Sequence, residues 1–198
     1  RWHPVRRSAA WALFERAADA AAATVALADA LMDPEVRIPA LRALEQIGPK
    51  AASAAPQVTA LLDHEDFFVR LGATYVLKAI GEPAIEGLRK ALRDESPHVG
   101  YIAGKAAAEI GPPAKVLVAE LSANLTRDKI STTYGHVDGA DLAINALGPD
   151  AAAAAPRILD LYSSGRRPGM AASYISMLMA IGPAARDAIA RSTSRPTR

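Results

Sequence analysis

Residues 66–84 read Asp66-Phe67-Phe68-Val69-Arg70-Leu71-Gly72-Ala73-Thr74-Tyr75-Val76-Leu77-Lys78-Ala79-Ile80-Gly81-Glu82-Pro83-Ala84. This stretch holds one helix with its own start and stop. Asp66 supplies an N-cap oxygen, and Val69 opens an apolar stripe that continues through Ala73, Leu77 and Ile80. Spacings of three and four put these residues on one helical face. Gly81 with Pro83 ends the helix, because glycine takes the left-handed C′ conformation without a Cβ penalty and proline cannot prolong it.

The same stop occurs five times as Ile/Leu-Gly-x-x-Ala: Ile47-Gly48-Pro49-Lys50-Ala51, Ile80 to Ala84, Ile110-Gly111-Pro112-Pro113-Ala114, Leu147-Gly148-Pro149-Asp150-Ala151 and Ile181-Gly182-Pro183-Ala184-Ala185. Starts at Asp33-Pro34-Glu35-Val36-Arg37 and Ser96-Pro97-His98-Val99-Gly100 match that at Asp66, with Pro34 and Pro97 expected at the first helical position. Counted from the arginine slot, the third residue is Ala40, Ala73, Ala103 or Ala140, and the seventh is Leu44, Leu77, Ala107 or Ile144. An alanine recurring at one slot implies close approach of successive helices. Upstream of each such helix B lies a helix A, at 52–62, 85–92, 115–125 and 152–162. Helix pairs of this size cannot bury their apolar faces alone, so neighbouring pairs must stack. The fold class expected is all-α, a right-handed α-solenoid of about five and a half helix-pair repeats.

The pattern Asp-x-x-Val-Arg-x-x-Ala-x-x-Ala-Leu-x-x-Ile-Gly resembles the HEAT-like repeat, in the short form named after phycobilisome lyases, over about residues 1–190. As one domain spanning 1–198, the units fall at 1–17 (partial), 18–47, 48–80, 81–110, 111–147 and 148–181, with 182–198 a terminal helix and tail. The unit ending at Ile181 departs from the pattern, with Ala171 in the arginine slot and Tyr174 in the alanine slot, and reads as an end unit whose outer face meets solvent or a partner. Pro4-Val5-Arg6 with Ala9, Ala12 and Leu13 falls in register as a helix B without its helix A. A trimmed longer array, a removed leader or a degenerate N-terminal cap each accounts for that start.

Composition narrows the function classes. The 198 residues include 45 alanines but no cysteine, which excludes a disulfide scaffold, thiol catalysis and cysteine-ligated metals. The longest apolar run, Ala20 to Ala28, is too short and too weakly hydrophobic to span a bilayer, so a soluble chain is expected. The net charge of +2 is unevenly placed: residues 1–7 and 186–198 carry +3 each, leaving the body at −4. A chain living by phosphate contacts would spread its cations over a folded face.

No catalytic constellation is present. The histidines His3, His64, His98 and His136 fall in or near turns before helix B, too far apart to converge on one metal, and read as solvated. HEAT-like deoxyhypusine hydroxylases hold two irons with several His-Glu pairs, whereas this chain has only His64-Glu65. HEAT-like DNA glycosylases use tryptophan and acidic residues in a basic groove; here Trp2 and Trp11 lie far from most acidic candidates, and the cations fade from Arg42 and Lys78 toward Asp138 and Asp141. Bilin lyase chemistry would need a pocket motif that the chain does not display. The expectation is a non-enzyme without cofactor or metal.

A binding face is the better candidate. The fifth position after the arginine slot carries Trp11, Arg42, Tyr75, Lys105, Leu142 and Ser176; the first carries Arg7, Ile38, Leu71, Tyr101, Asp138 and Ala172. Trp, Tyr and Arg in slots the core does not need are interface anchors. Trp11, Arg42, Tyr75, Tyr101 and Lys105 are therefore expected to bind a protein partner on the concave helix-B face. The alternative is packing of these residues between units. The 37-residue glycine spacing marks an insertion within 127–139, whose Thr133, Tyr134 and His136 are candidate contacts if it is more than a lengthened turn. Asp33 with Arg37 and Asp66 with Arg70 are expected to form a structural ladder between turns. The function expected is a protein-binding scaffold or a subunit of a larger assembly, in the cytoplasm or, if a leader was removed, the periplasm. The alternative is a nucleic-acid-binding solenoid that uses the basic N-terminal half of the groove.

Overall fold

Asp66 to Gly81 forms one helix bounded as its signals require, in a computed structural model whose described residues are 24–125, 139–165 and 168–193. The helices, in chain order, are α1 (Thr24–Ala30), α2 (Arg37–Ile47), α3 (Ala55–Ala60), α4 (Phe67–Ile80), α5 (Ile85–Ala91), α6 (Pro97–Ile110), α7 (Val118–Asn124), α8 (Gly139–Leu147), α9 (Ala155–Ser163), α10 (Ala171–Ile181) and α11 (Pro183–Thr193). No strand occurs among the described residues. The even-numbered helices are the B helices. The chain divides into two compact units, residues 1–103 and 104–198, with the division falling inside α6.

In the first unit α2 packs on α4, and α3 on both α4 and α5. The slots predicted to face inward are the core: Ala40, Ala73, Leu44, Leu77 and the pentad alanines Ala51 and Ala84 are all buried. In the second unit α8 packs on α10, and Ala140, Ile144, Ala114, Ala151 and Ala185 are buried in the same roles. Tyr174 lies wholly buried in α10 where other units have alanine, so that slot does not face outward. What α10 does expose is Ile175 and Met179, the latter 76% accessible.

The five pentad glycines all have positive φ, but with a difference from the expected left-handed cap. Gly81 sits at φ 80°, ψ −137°, and Gly48, Gly111 and Gly182 lie close by, well away from the left-handed helical ψ. That region admits glycine almost alone. The Gly81 amide closes α4 on the Leu77 carbonyl at 3.1 Å, and its own carbonyl accepts from Ala84 at 2.9 Å, starting the next segment at once.

The A helices are shorter than expected. Gly48–Ala54, Glu82–Ala84, Pro112–Leu117 and Gly148–Ala154 are 3₁₀ segments, and α-helical bonding begins only after them. Each of these segments has proline at its first or second position, where the missing N–H costs no intrahelical bond and a short 3₁₀ turn at a helix start is common. Pro34 likewise stands in a turn rather than at a helix start: Glu35 N–H donates to Asp33 Oδ1 at 3.0 Å, and α2 opens only at Arg37. Pro97 does begin its helix. Two segments a hundred residues apart, 48–58 and 148–158, share the frame Gly-Pro-x-Ala-Ala-x-Ala-Ala-Pro and an identical sequence of buried and exposed positions.

Candidate functional site

The arginine slot organises the turns that lead into the B helices. Arg70 is buried; its Nε donates to Asp94 Oδ2 at 2.8 Å, Nη2 to Glu95 Oε1 at 3.0 Å, and Nη1 to the carbonyls of His64 and Glu65, each at 3.0 Å. One guanidinium thus fastens its own turn to the following one. Asp94 is almost fully buried beside it, with side-chain accessibility of 6%, whereas Glu95 is in solvent. The hydrogen bond to Asp94 raises the Arg70 pKa above the ordinary arginine value, against the opposing effect of burial. Arg37 repeats the device one unit earlier: Nε donates to the Leu31 carbonyl at 2.7 Å, and Nη1 lies 3.0 Å from His64 Nε2. His64 is therefore half-buried and engaged, and its Nδ1 accepts from the Asp66 amide at 3.0 Å. Asp33 and Asp66 serve the turns themselves, Asp66 Oδ1 accepting from Phe68 N–H at 2.8 Å as an N-cap. Among the described residues no group of His, Asp or Glu is placed to hold a metal ion.

The face expected to bind a partner forms a groove in the first unit. Ile38, Leu41, Arg42, Glu45 and Gln46 of α2 and Phe68, Leu71, Gly72 and Tyr75 of α4 line a space of about 450 Å³. Four residues from the first and fifth slots, Ile38, Arg42, Leu71 and Tyr75, come together here. Gly72 permits the close approach at the groove floor, since a Cβ there would stand 3.2 Å from Leu41 Cδ1. Phe68, 71% accessible, is the most exposed aromatic of the lining and packs edge-on against Phe67 with ring centres 5.2 Å apart. Slot counting did not single out Phe68 or Glu45. Both lie three residues from a slot that it did use, Leu71 and Arg42, and helical neighbours at that spacing would have flagged them.

Tyr101 is half-buried and Lys105 exposed on α6, and neither lines the groove. Trp11, Thr133, Tyr134 and His136 lie outside the described residues. In the second unit the corresponding helix-B faces are joined by polar bonds: Ser173 Oγ donates to buried Asp141 Oδ2 at 2.6 Å, and Ser176 Oγ to Asn145 Oδ1 at 3.0 Å.

Residues 24–94 match the family model for HEAT repeats. No curated protein matches the chain. Among solved structures, the chain is similar to the crystal structure of an engineered protein at 22% identity, with a TM-score of 0.61 over 92% of each chain, a likeness of fold. No described helix is long and apolar enough to cross a membrane. With the paired helices, the Gly-Pro junctions and the buried alanine slots in place, the described residues form an all-α fold whose segment 24–94 matches the HEAT-repeat model.

Proposed function

We propose that the protein is a non-enzymatic scaffold that docks a protein partner on its helix-B face, with the α2–α4 groove as the primary contact. The observation that carries this reading is the groove lining itself. Ile38, Phe68 and Tyr75 are large apolar side chains left in solvent on adjacent helices, where a core residue would be covered. Aromatic anchors in a concave, partly polar rim are what interface hot spots are made of. Arrays of stacked helix pairs generally present such concave surfaces to other proteins. Tyr101, Lys105, Trp11 and the insertion residues Thr133, Tyr134 and His136 are further candidate contacts for a partner, each taken by itself. The Arg37 and Arg70 turns are assigned to structure. The partner is expected within a larger complex, and the groove lining carries one cation, Arg42, offset by one carboxylate, Glu45, a charge balance that favours protein over nucleic acid.

Crosslinking and mass spectrometry of the native complex test this directly. Replacing Arg42 and Tyr75 together by alanine should remove the principal crosslinked partner while leaving the helical circular dichroism unchanged. An identical set of captured proteins would dismiss the groove as the docking face.

A further inference from the structure

The groove holds a carboxylate that no described residue satisfies. Glu45 is half-buried in the α2 wall and has no hydrogen-bond or ion-pair partner among the described residues, whereas Arg42, one turn earlier, already has a partner of its own. The α4 wall of the same groove carries the rings of Phe68 and Tyr75, two turns apart and both exposed. A carboxylate and an exposed tyrosine ring lining one partly desolvated cleft complement one kind of side chain. A cation there gains charge-assisted hydrogen bonds from the carboxylate and attraction to the negative ring face, and its alkyl stem covers Leu71 and Ile38.

We propose that the α2–α4 groove recognises a lysine or arginine side chain of the protein partner, held by Glu45 with Tyr75, next to an apolar residue lying on Ile38 and Leu71. This rests on the reading of the groove as a docking face and adds the chemistry of what docks. An anionic segment is disfavoured because it would meet the Glu45 carboxylate. A purely apolar segment would leave that carboxylate desolvated and unpaired, which costs more than leaving it in water.

The test uses the full chain labelled with ¹⁵N and four blocked heptapeptides of alanine and leucine that differ only in a central lysine, arginine, norleucine or glutamate. Lysine and arginine peptides should shift the amide resonances of residues 38–46 and 68–75, with apparent affinity about tenfold above that of the norleucine peptide, and the glutamate peptide should bind most weakly. Glu45→Gln should erase that tenfold preference, weakening lysine and arginine binding while relieving the norleucine peptide of an unpaired carboxylate, and Tyr75→Leu should reduce the preference several-fold. Unchanged amide spectra away from the groove show that both variants are folded. Equal affinity for lysine and norleucine peptides, or a preference that survives Glu45→Gln, would overturn the cation assignment while the groove stands as a docking face. If no peptide shifts those resonances the cation assignment also falls, and the crosslinking result with the Arg42 and Tyr75 variant decides docking by itself.

Discussion

Gly81 shows how much a single residue can fix. A Cβ built on it would meet no atom within 4 Å, so space does not demand glycine there; the backbone at φ 80°, ψ −137° does. Asparagine tolerates the left-handed helical region but not this one. Gly81→Ala and Gly81→Asn are therefore both expected to cost about 1–3 kcal/mol in urea unfolding. A recovery of stability in the asparagine variant would show that the cap relaxes to the left-handed form. Arg70 is the second decisive residue. Arg70→Met removes four donor contacts and leaves Asp94 buried with its charge uncompensated, for an expected loss of about 3 kcal/mol. Because the folded-state pKa of Arg70 is raised, its contribution is complete at neutral pH and disappears only in strong alkali. A shallow alkaline loss of stability starting near neutrality would contradict that sign.

At the scale of elements, small residues set how closely helices approach. Gly104 of α6 meets the start of α8 so tightly that a Cβ would lie 2.7 Å from the Gly139 carbonyl oxygen and 2.8 Å from the Ala140 nitrogen. Backbone cannot swing aside as a side chain can, so Gly104→Ala should destabilise the protein by about 1–3 kcal/mol despite alanine's better helix propensity. A gain in melting temperature would refute that packing. The alanine ladder and the pentads were legible in the sequence because core slots repeat in type as well as position: Ala40, Ala73 and Ala140 announce one another. The 3₁₀ starts of the A helices were not, since a proline at the first turn is equally compatible with an α-helix and with a 3₁₀ segment. The groove was half legible. Tyr75 and Arg42 stood out as large residues in repeating slots, but Phe68 belongs to no slot series, and the solitude of Glu45 depends on what its neighbours reach for in three dimensions. Asp94 was missed as the partner of Arg70 for the same reason, because it lies in the next unit's turn, 24 residues away.

Across the whole molecule, stability in stacked repeats is carried by intrinsic unit terms and nearest-neighbour contacts. The Arg70 fastening spans two successive turns and no more. Hydrogen exchange in Arg70→Met should accordingly rise in residues 61–103 and stay near wild type in 139–193, and uniform loss of protection would indicate one all-or-none unit instead. The first unit leaves an open groove of mixed polarity on its helix-B face, while Ser173 and Ser176 join the equivalent positions of the second unit by hydrogen bonds to Asp141 and Asn145. Segments 48–58 and 148–158 carry another implication. Their buried positions coincide one for one and differ only in Val58 against Ile158, a single methylene, while Lys50 against Asp150, Ser53 against Ala153 and Gln57 against Arg157 differ in solvent. In packing terms the two are interchangeable cassettes, so a chimera with both exchanged should unfold within about 1.5 kcal/mol of the parent. The same equivalence lets a refolding chain seat either cassette in the other's place, an error that only the sequences flanking each one can correct.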